Sequence, residues 1–323
     1  MKKIISIILC VIAVISLFSS CSSPDAADDG KLKIVATVFP QYDWVKNILG
    51  DRSANADLTL LLDSGVDLHS FQPTADDLVK ISSCDMFIYV GGESDEWVDD
   101  ALAQAVNKDM TVINLLEVLG ESAKDEEIKE GMQAEEEEEE GGEEAEKDEH
   151  VWLSLKNAAV LCGYIAGKLG GKDPEGRAVY SANADAYIEK LNALDSLYKS
   201  AVDGAANKTL LFCDRFPFRY LADDYGLDYY AAFAGCSAES EASFETITFL
   251  AGKLKTLGLK NVVVLEGGSG KIASTVISTS GLDGIGTVTL NSMQSVTAQD
   301  IENGADYIDI MTQNLEGLKT ALS

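Results

Sequence analysis

Between Pro174 and Val202 the chain carries its longest unbroken helical pattern. Val179, Tyr180, Ala184, Tyr187, Leu191, Leu194, Leu197 and Tyr198 recur at three- and four-residue steps and mark one apolar stripe. At about 1.5 Å per residue such a helix runs on the order of 40 Å, long enough to lie along two bodies rather than one. It therefore reads as a connector, and the rest of the chain has to supply what it connects.

On both sides of that helix strand and helix patterns alternate. Before it, Leu32–Val38, Leu58–Leu62, Met86–Val90 and Thr111–Leu115 read as strands. Gln41–Leu49, a segment capped by Thr74 with Asp77 three residues on, Asp95–Ala105 and Trp152–Leu169 read as helices. After it, Leu210–Cys213, Tyr229–Phe233, Asn261–Leu265 and Thr287–Leu290 are strand-like. Phe216–Tyr225, Phe244–Leu257, Lys271–Ser280 and Asp306–Leu322 are helix-like. Such alternation implies parallel pairing with right-handed crossovers. The expected fold is α/β: two Rossmann-like domains at 31–172 and 205–323, joined by a rigid helix at 173–204.

The N-terminus sets the compartment. Met1-Lys2-Lys3 is followed by an almost wholly apolar run from Ile4 to Phe18 and by Ser19-Ser20-Cys21. A charged start, a short apolar stretch and small residues before a cysteine describe a secretory leader. The run is shorter than the roughly 20 residues of a permanent span. The pattern resembles a bacterial lipobox, with 1–21 as leader, Cys21 as the lipidated residue and Phe18 where leucine is usual. Residues 22–30, rich in Ser, Asp, Ala and Gly, suit a flexible tether. The expected location is extracytoplasmic, held to the membrane by the lipid.

A formal net charge of -29 argues against nucleic acid as a partner, because phosphate contacts require Lys and Arg. Much of that charge is local: residues 121–149 carry sixteen acidic side chains against three lysines. Such a segment cannot bury enough apolar surface to order itself and is expected to be a mobile loop. Its field would raise the local cation concentration, although glutamates alone bind divalent ions weakly and without selectivity. Beyond the leader the cysteines are Cys84, Cys162, Cys213 and Cys236, none in a C-x-x-C pattern, and their spacing does not specify a pairing.

The chain has only two histidines, His69 and His150. A single histidine is usually structural or superficial. These two, however, stand in a turn between regular elements and at the end of a carboxylate-rich loop, where a metal-ligating pair would have room to meet. The surrounding runs are Gly65-Val66-Asp67-Leu68-His69-Ser70-Phe71-Gln72-Pro73-Thr74 and Asp148-Glu149-His150-Val151-Trp152-Leu153-Ser154. Together they resemble the cluster A-I solute-binding proteins, the extracytoplasmic receptors of ABC importers for zinc and manganese. The order of leader, first motif, acidic loop, second motif, long helix and second α/β domain is similar too, over essentially the whole mature chain.

That resemblance implies a metal in the cleft between the domains, with His69 and His150 as ligands from the first, and a membrane permease as partner. It also implies a third ligand, usually His or Glu, just before the Phe218-Arg219-Tyr220-Leu221 helix. That position holds Arg215, whose guanidinium has donors only. Asp214 is the favoured substitute and Cys213 a further candidate. The fourth position falls on Asn291. Glu266 closes a strand where α/β folds gather ligands, and Glu239 and Glu241 are additional candidates. Two imidazoles with one carboxylate suit four-coordinate zinc, whereas a second carboxylate would also accept manganese. Two other classes carry different expectations. A secreted zinc hydrolase with Glu266 as base would be chelator-sensitive, but no H-E-x-x-H helix accompanies it. A surface adhesin or metal buffer would share the tether without delivering metal.

Overall fold

The computed structural model describes residues 30–133, 146–237 and 241–323, and Leu32–Ser323 forms one compact unit. The leader, Cys21 and all of the tether but Gly30 lie outside the described residues. Among the described residues no helix is long and apolar enough to cross a membrane.

The first half is built on strands β1 (Leu32–Ala36), β2 (Ala56–Leu60), β3 (Met86–Tyr89) and β4 (Thr111–Asn114), all parallel in the order β2-β1-β3-β4. Around them run α1 (Phe39–Leu49), α2 (Ala75–Ser83), α3 (Trp97–Ala103), α4 (Leu115–Leu119) and α5 (Leu155–Lys172), and α6 (Arg177–Gly204) follows. The second half repeats the alternation with β5 (Thr209–Leu211), α7 (Arg219–Tyr225), β6 (Asp228–Tyr230), α8 (Phe244–Thr256), β7 (Asn261–Leu265), α9 (Lys271–Ser280) and β8 (Gly286–Leu290). The short α10 (Ala298–Glu302) and the final α11 (Tyr307–Ala321) complete it. Its strands pair in parallel as β5 with β6 and β7 with β8, and a parallel bridge between Phe212 and Val263 joins the pairs. The resulting order, β6-β5-β7-β8, has the same winding as the first half. Each half therefore reverses direction between its first and third strands, the place where an open α/β sheet leaves a crevice at its strand ends.

The long helix is α6, with 28 residues. Tyr180, Ala184, Tyr187, Leu191, Leu194, Tyr198 and Val202 form its buried face, whereas Val179 and Leu197, expected on the stripe, are exposed. The helix packs on α5, α1 and α11, and so touches both halves. One continuous core joins them, with Trp44, Trp152, Tyr198, Tyr220 and Tyr307 all fully or nearly fully buried in it. The polar ends of three of them are matched across the junction, whereas the Trp44 indole N–H has no partner among the described residues. The Tyr198 hydroxyl donates to the Met311 carbonyl at 2.6 Å, Tyr307 to the Trp152 carbonyl at 2.5 Å, and the Trp152 indole to the Ser292 carbonyl at 2.8 Å.

Two local expectations change. The apolar run starting at Trp152 is not yet helix: Val151–Leu153 is a single 3-10 turn, and Ser154 then caps α5 by accepting from the Asn157 amide. The acidic stretch 121–149 is not loose along its whole length. The Asp148 amide donates to the Lys124 carbonyl, the Gln133 amide to the Ala232 carbonyl, and the Tyr229 hydroxyl to Glu127. Both arms are thus docked; residues 134–145 between them lie outside the described residues. No disulfide forms among Cys84, Cys162, Cys213 and Cys236, all of which are free thiols.

Candidate metal centre

His69 sits in a 3-10 turn after β2, capped by Asp67, whose Oδ1 accepts from the His69 amide at 3.1 Å. His150 sits just before the Val151–Leu153 turn, its amide donating to Asp148 Oδ1 at 2.9 Å. Eighty-one residues apart in sequence, the two rings meet with Nε2 facing Nε2 at 3.2 Å. The opposite ring nitrogens are already committed. His150 Nδ1 lies 3.1 Å from Asp148 Oδ1, which places its proton there. His69 Nδ1 lies 2.8 Å from the Ser94 hydroxyl and 3.5 Å from Glu149 Oε2.

The two Nε2 atoms therefore face one buried spot, where they share a proton in an N–H···N hydrogen bond or, with both Nδ1 protonated, offer two lone pairs to a cation. Facing acceptors repel unless a cation or a single shared proton lies between them, and the geometry is that of imidazoles oriented from behind for a metal in front. The charges are arranged to match. Burial, followed by the neighbouring His150, holds the His69 pKa down to about 3. Burial also opposes a charge on His150, but Asp148 outweighs it and moves that pKa up.

The surroundings are shaped for close approach. Glu149 Oε1 accepts from the Ser94 amide at 2.8 Å, and its Oε2 has no hydrogen bond among the described residues. Burial raises its pKa to about 7. Gly92 has φ +86, and a Cβ there would collide with Glu149 Oε1; a Cβ at Gly235 would come within 3.2 Å of the His150 ring. From the second half, Gln294 Nε2 lies 3.0 Å from His150 Nε2. Gln294 follows Met293, which is buried with φ 63, a left-handed conformation that costs a non-glycine residue about 1–2 kcal/mol. Such strain is typical of loops held for function.

The other sequence candidates are placed differently. Among the described residues, the group of potential ligand atoms lying mutually within 4.8 Å comprises His69, His150 and Cys236. Asp214 is outside it: Oδ1 accepts from the Arg215 amide, and Oδ2 accepts from the Leu265 amide at the end of β7. Glu266 is outside it too, with Oε2 and Oε1 accepting from the Ser292 amide and hydroxyl at 2.8 and 2.7 Å. Burial raises the Glu266 pKa, and Asp67 adds to the effect. Asn291 turns its Oδ1 to the Met293 amide, Cys213 is in the apolar core of the second half, and Glu241 is exposed. Glu239 lies outside the described residues. Arg215 forms an ion pair with Asp67 at 2.6 Å. Cys236 is the member of this group that sequence reading did not name as a candidate. It stands in the Gly235-Cys236-Ser237 loop beyond β6.

This chain and this fold have known relatives. The sequence profile described as zinc-uptake complex component A, periplasmic (ZnuA), matches residues 34–321. The chain belongs to the ZnuA family. Within it, the chain is 32% identical over 307 residues to the high-affinity zinc uptake system protein ZnuA of Bacillus subtilis (strain 168), covering 94% of this chain and 91% of that protein. It is 30% identical over 325 residues to the zinc-binding protein AdcA of Streptococcus pyogenes serotype M3, covering 99% of this chain but 61% of AdcA. The chain thus spans about three-fifths of the AdcA proteins it resembles. The solved Zn(II)-bound ZnuA-like domain of Streptococcus pneumoniae AdcA superposes with TM-score 0.71 at 30% identity, covering 91% of this chain and 99% of that domain.

Proposed function

We propose that the chain is an extracytoplasmic receptor that captures zinc and delivers it to the permease of an ABC importer. The observation that carries this reading is the facing of His69 Nε2 and His150 Nε2 at 3.2 Å, each ring held from behind by a carboxylate or a hydroxyl. Such a site favours a borderline cation, and imidazole ligation ranks zinc above manganese. The names of the relatives point the same way. A manganese receptor is the runner-up and would need a second carboxylate ligand.

Zinc here is cargo, and the residues do no bond-breaking on it. His69 and His150 hold the ion. Asp214 and Glu266, the acids the sequence offers, both accept from backbone amides in this structure, and either would have to release those bonds to become a further donor. In this reading 31–172 and 205–323 are the two bodies of the receptor, with 173–204 limiting their relative motion. Cys21 carries the lipid that tethers the receptor to the membrane.

The test is metal content and affinity of the purified protein by competition with a zinc chelator. One tightly held zinc per chain, lost in His69→Ala and in His150→Ala, is the expected result. A tight site that survives both substitutions, or manganese held more tightly than zinc, overturns the reading.

A further inference from the structure

Arg215 occupies the position where the family resemblance places a third ligand, and a guanidinium cannot accept a metal. Its Nη2 lies 2.6 Å from Asp67 Oδ2, and its Nη1 donates to the Ser237 carbonyl at 3.2 Å. Asp67 caps the turn that carries His69, and Ser237 follows Cys236 directly. One side chain therefore ties the first histidine loop to the cysteine loop. From the other side, the Cys236 amide donates to Glu126 Oε1 at 2.8 Å, fixing the same loop to the docked arm of the acidic segment. Gly235 allows this backbone to press against the His150 ring.

The outcome is a half-buried thiol beside the pair. The Sγ of Cys236 and one ring nitrogen from each of His69 and His150 lie within 4.8 Å of one another. Cys236 and His69 also line one open cavity of about 460 Å³, whereas Cys84, Cys162 and Cys213 are buried in apolar cores.

We infer that Cys236 is a metal ligand, giving this chain a two-histidine, one-thiolate donor set, and that Arg215 is the positioning residue that holds Cys236 and His69 in register. The inference rests on the metal-receptor reading above. On binding, the S–H bond breaks, its proton leaves to solvent and the sulfur lone pair bonds the metal, with no change of oxidation state. A thiolate is a soft ligand, so the set should favour zinc over manganese more strongly than two imidazoles and carboxylates do.

X-ray absorption at the zinc edge of the zinc-loaded full chain reads the ligand directly. A sulfur shell at about 2.3 Å beside nitrogen at about 2.0 Å is expected; a shell of nitrogen and oxygen alone overturns the cysteine assignment without involving any variant. Cobalt(II) substitution should give a near-ultraviolet thiolate charge-transfer band that Cys236→Ser abolishes. Arg215→Ala should keep that band while weakening zinc about 10- to 100-fold, the usual effect of a residue supporting a ligand; unchanged affinity removes Arg215 from the scheme. If zinc is held tightly, is lost in His69→Ala, and is unaffected by Cys236→Ser, this inference fails and the receptor reading stands. If the chain holds no zinc, both fail.

Discussion

At the residue scale, Asp148 shows how much of the candidate site lies behind the two histidines. One of its oxygens accepts from both the amide and the Nδ1 of His150, fixing the tautomer that leaves Nε2 unprotonated. Asp148→Asn removes the charge that favours that arrangement and should weaken zinc about 10- to 100-fold with little loss of fold, as measured by chelator competition beside thermal unfolding. An unchanged affinity would mean that the turn geometry alone orients the ring. The histidine pair was legible in the sequence because the chain has only two and each stands in a patterned run. Cys236 was not legible. Its neighbours come from segments more than 80 residues away, and a cysteine in an exported chain reads first as half of a disulfide. Arg215 could be seen to be unfit as a ligand, but its partner Asp67, 148 residues distant, could not be read from spacing.

At the element scale, the order of strands and helices was legible because buried parallel strands and amphipathic helices differ in period. Boundaries failed where burial is all-round. Val151, Trp152 and Leu153 are each buried, so their apolar run carries no period and looks like the first turn of a helix. Ser154 was the signal for the true start. It caps α5 through the Asn157 amide and donates to Asp224 Oδ2 at 2.6 Å, so it also pins α5 to the second half. Ser154→Ala should cost about 1–2 kcal/mol, seen as a lower urea midpoint. Tyr307→Phe strands the buried Trp152 carbonyl one turn away and should cost about 1–3 kcal/mol by the same measurement. If Ser154→Ala leaves the midpoint unmoved, the cap is not what stops the histidine-bearing turn from continuing as helix.

At the scale of the whole molecule, Asp43 marks where the first half, the connector and the last helix meet. Its Oδ2 accepts from Asn47 Nδ2 at 3.1 Å, the Tyr307 amide at 3.2 Å and the Tyr187 hydroxyl at 3.4 Å, drawing on α1, α11 and α6. Burial, then the neighbouring Asp306, raises its pKa from the ordinary 3.8 to about 6, against the lowering effect of the Tyr307 amide, Lys46 and Tyr187. The folded state thus binds this proton more tightly than the unfolded chain does. Its contribution to stability is fully present below about pH 4 and is lost as the pH rises through 6. A rise of that size corresponds to about 3 kcal/mol. Because His69, held down to about 3, acts in the opposite direction, the clean observable is the difference between Asp43→Asn and the parent rather than the parent profile alone. The amide in that variant carries no titrating proton, so the variant should gain about 3 kcal/mol relative to the parent between pH 4 and pH 8, measured as paired urea midpoints without metal. A difference that stays flat across that window would show that the junction accommodates the Asp43 charge.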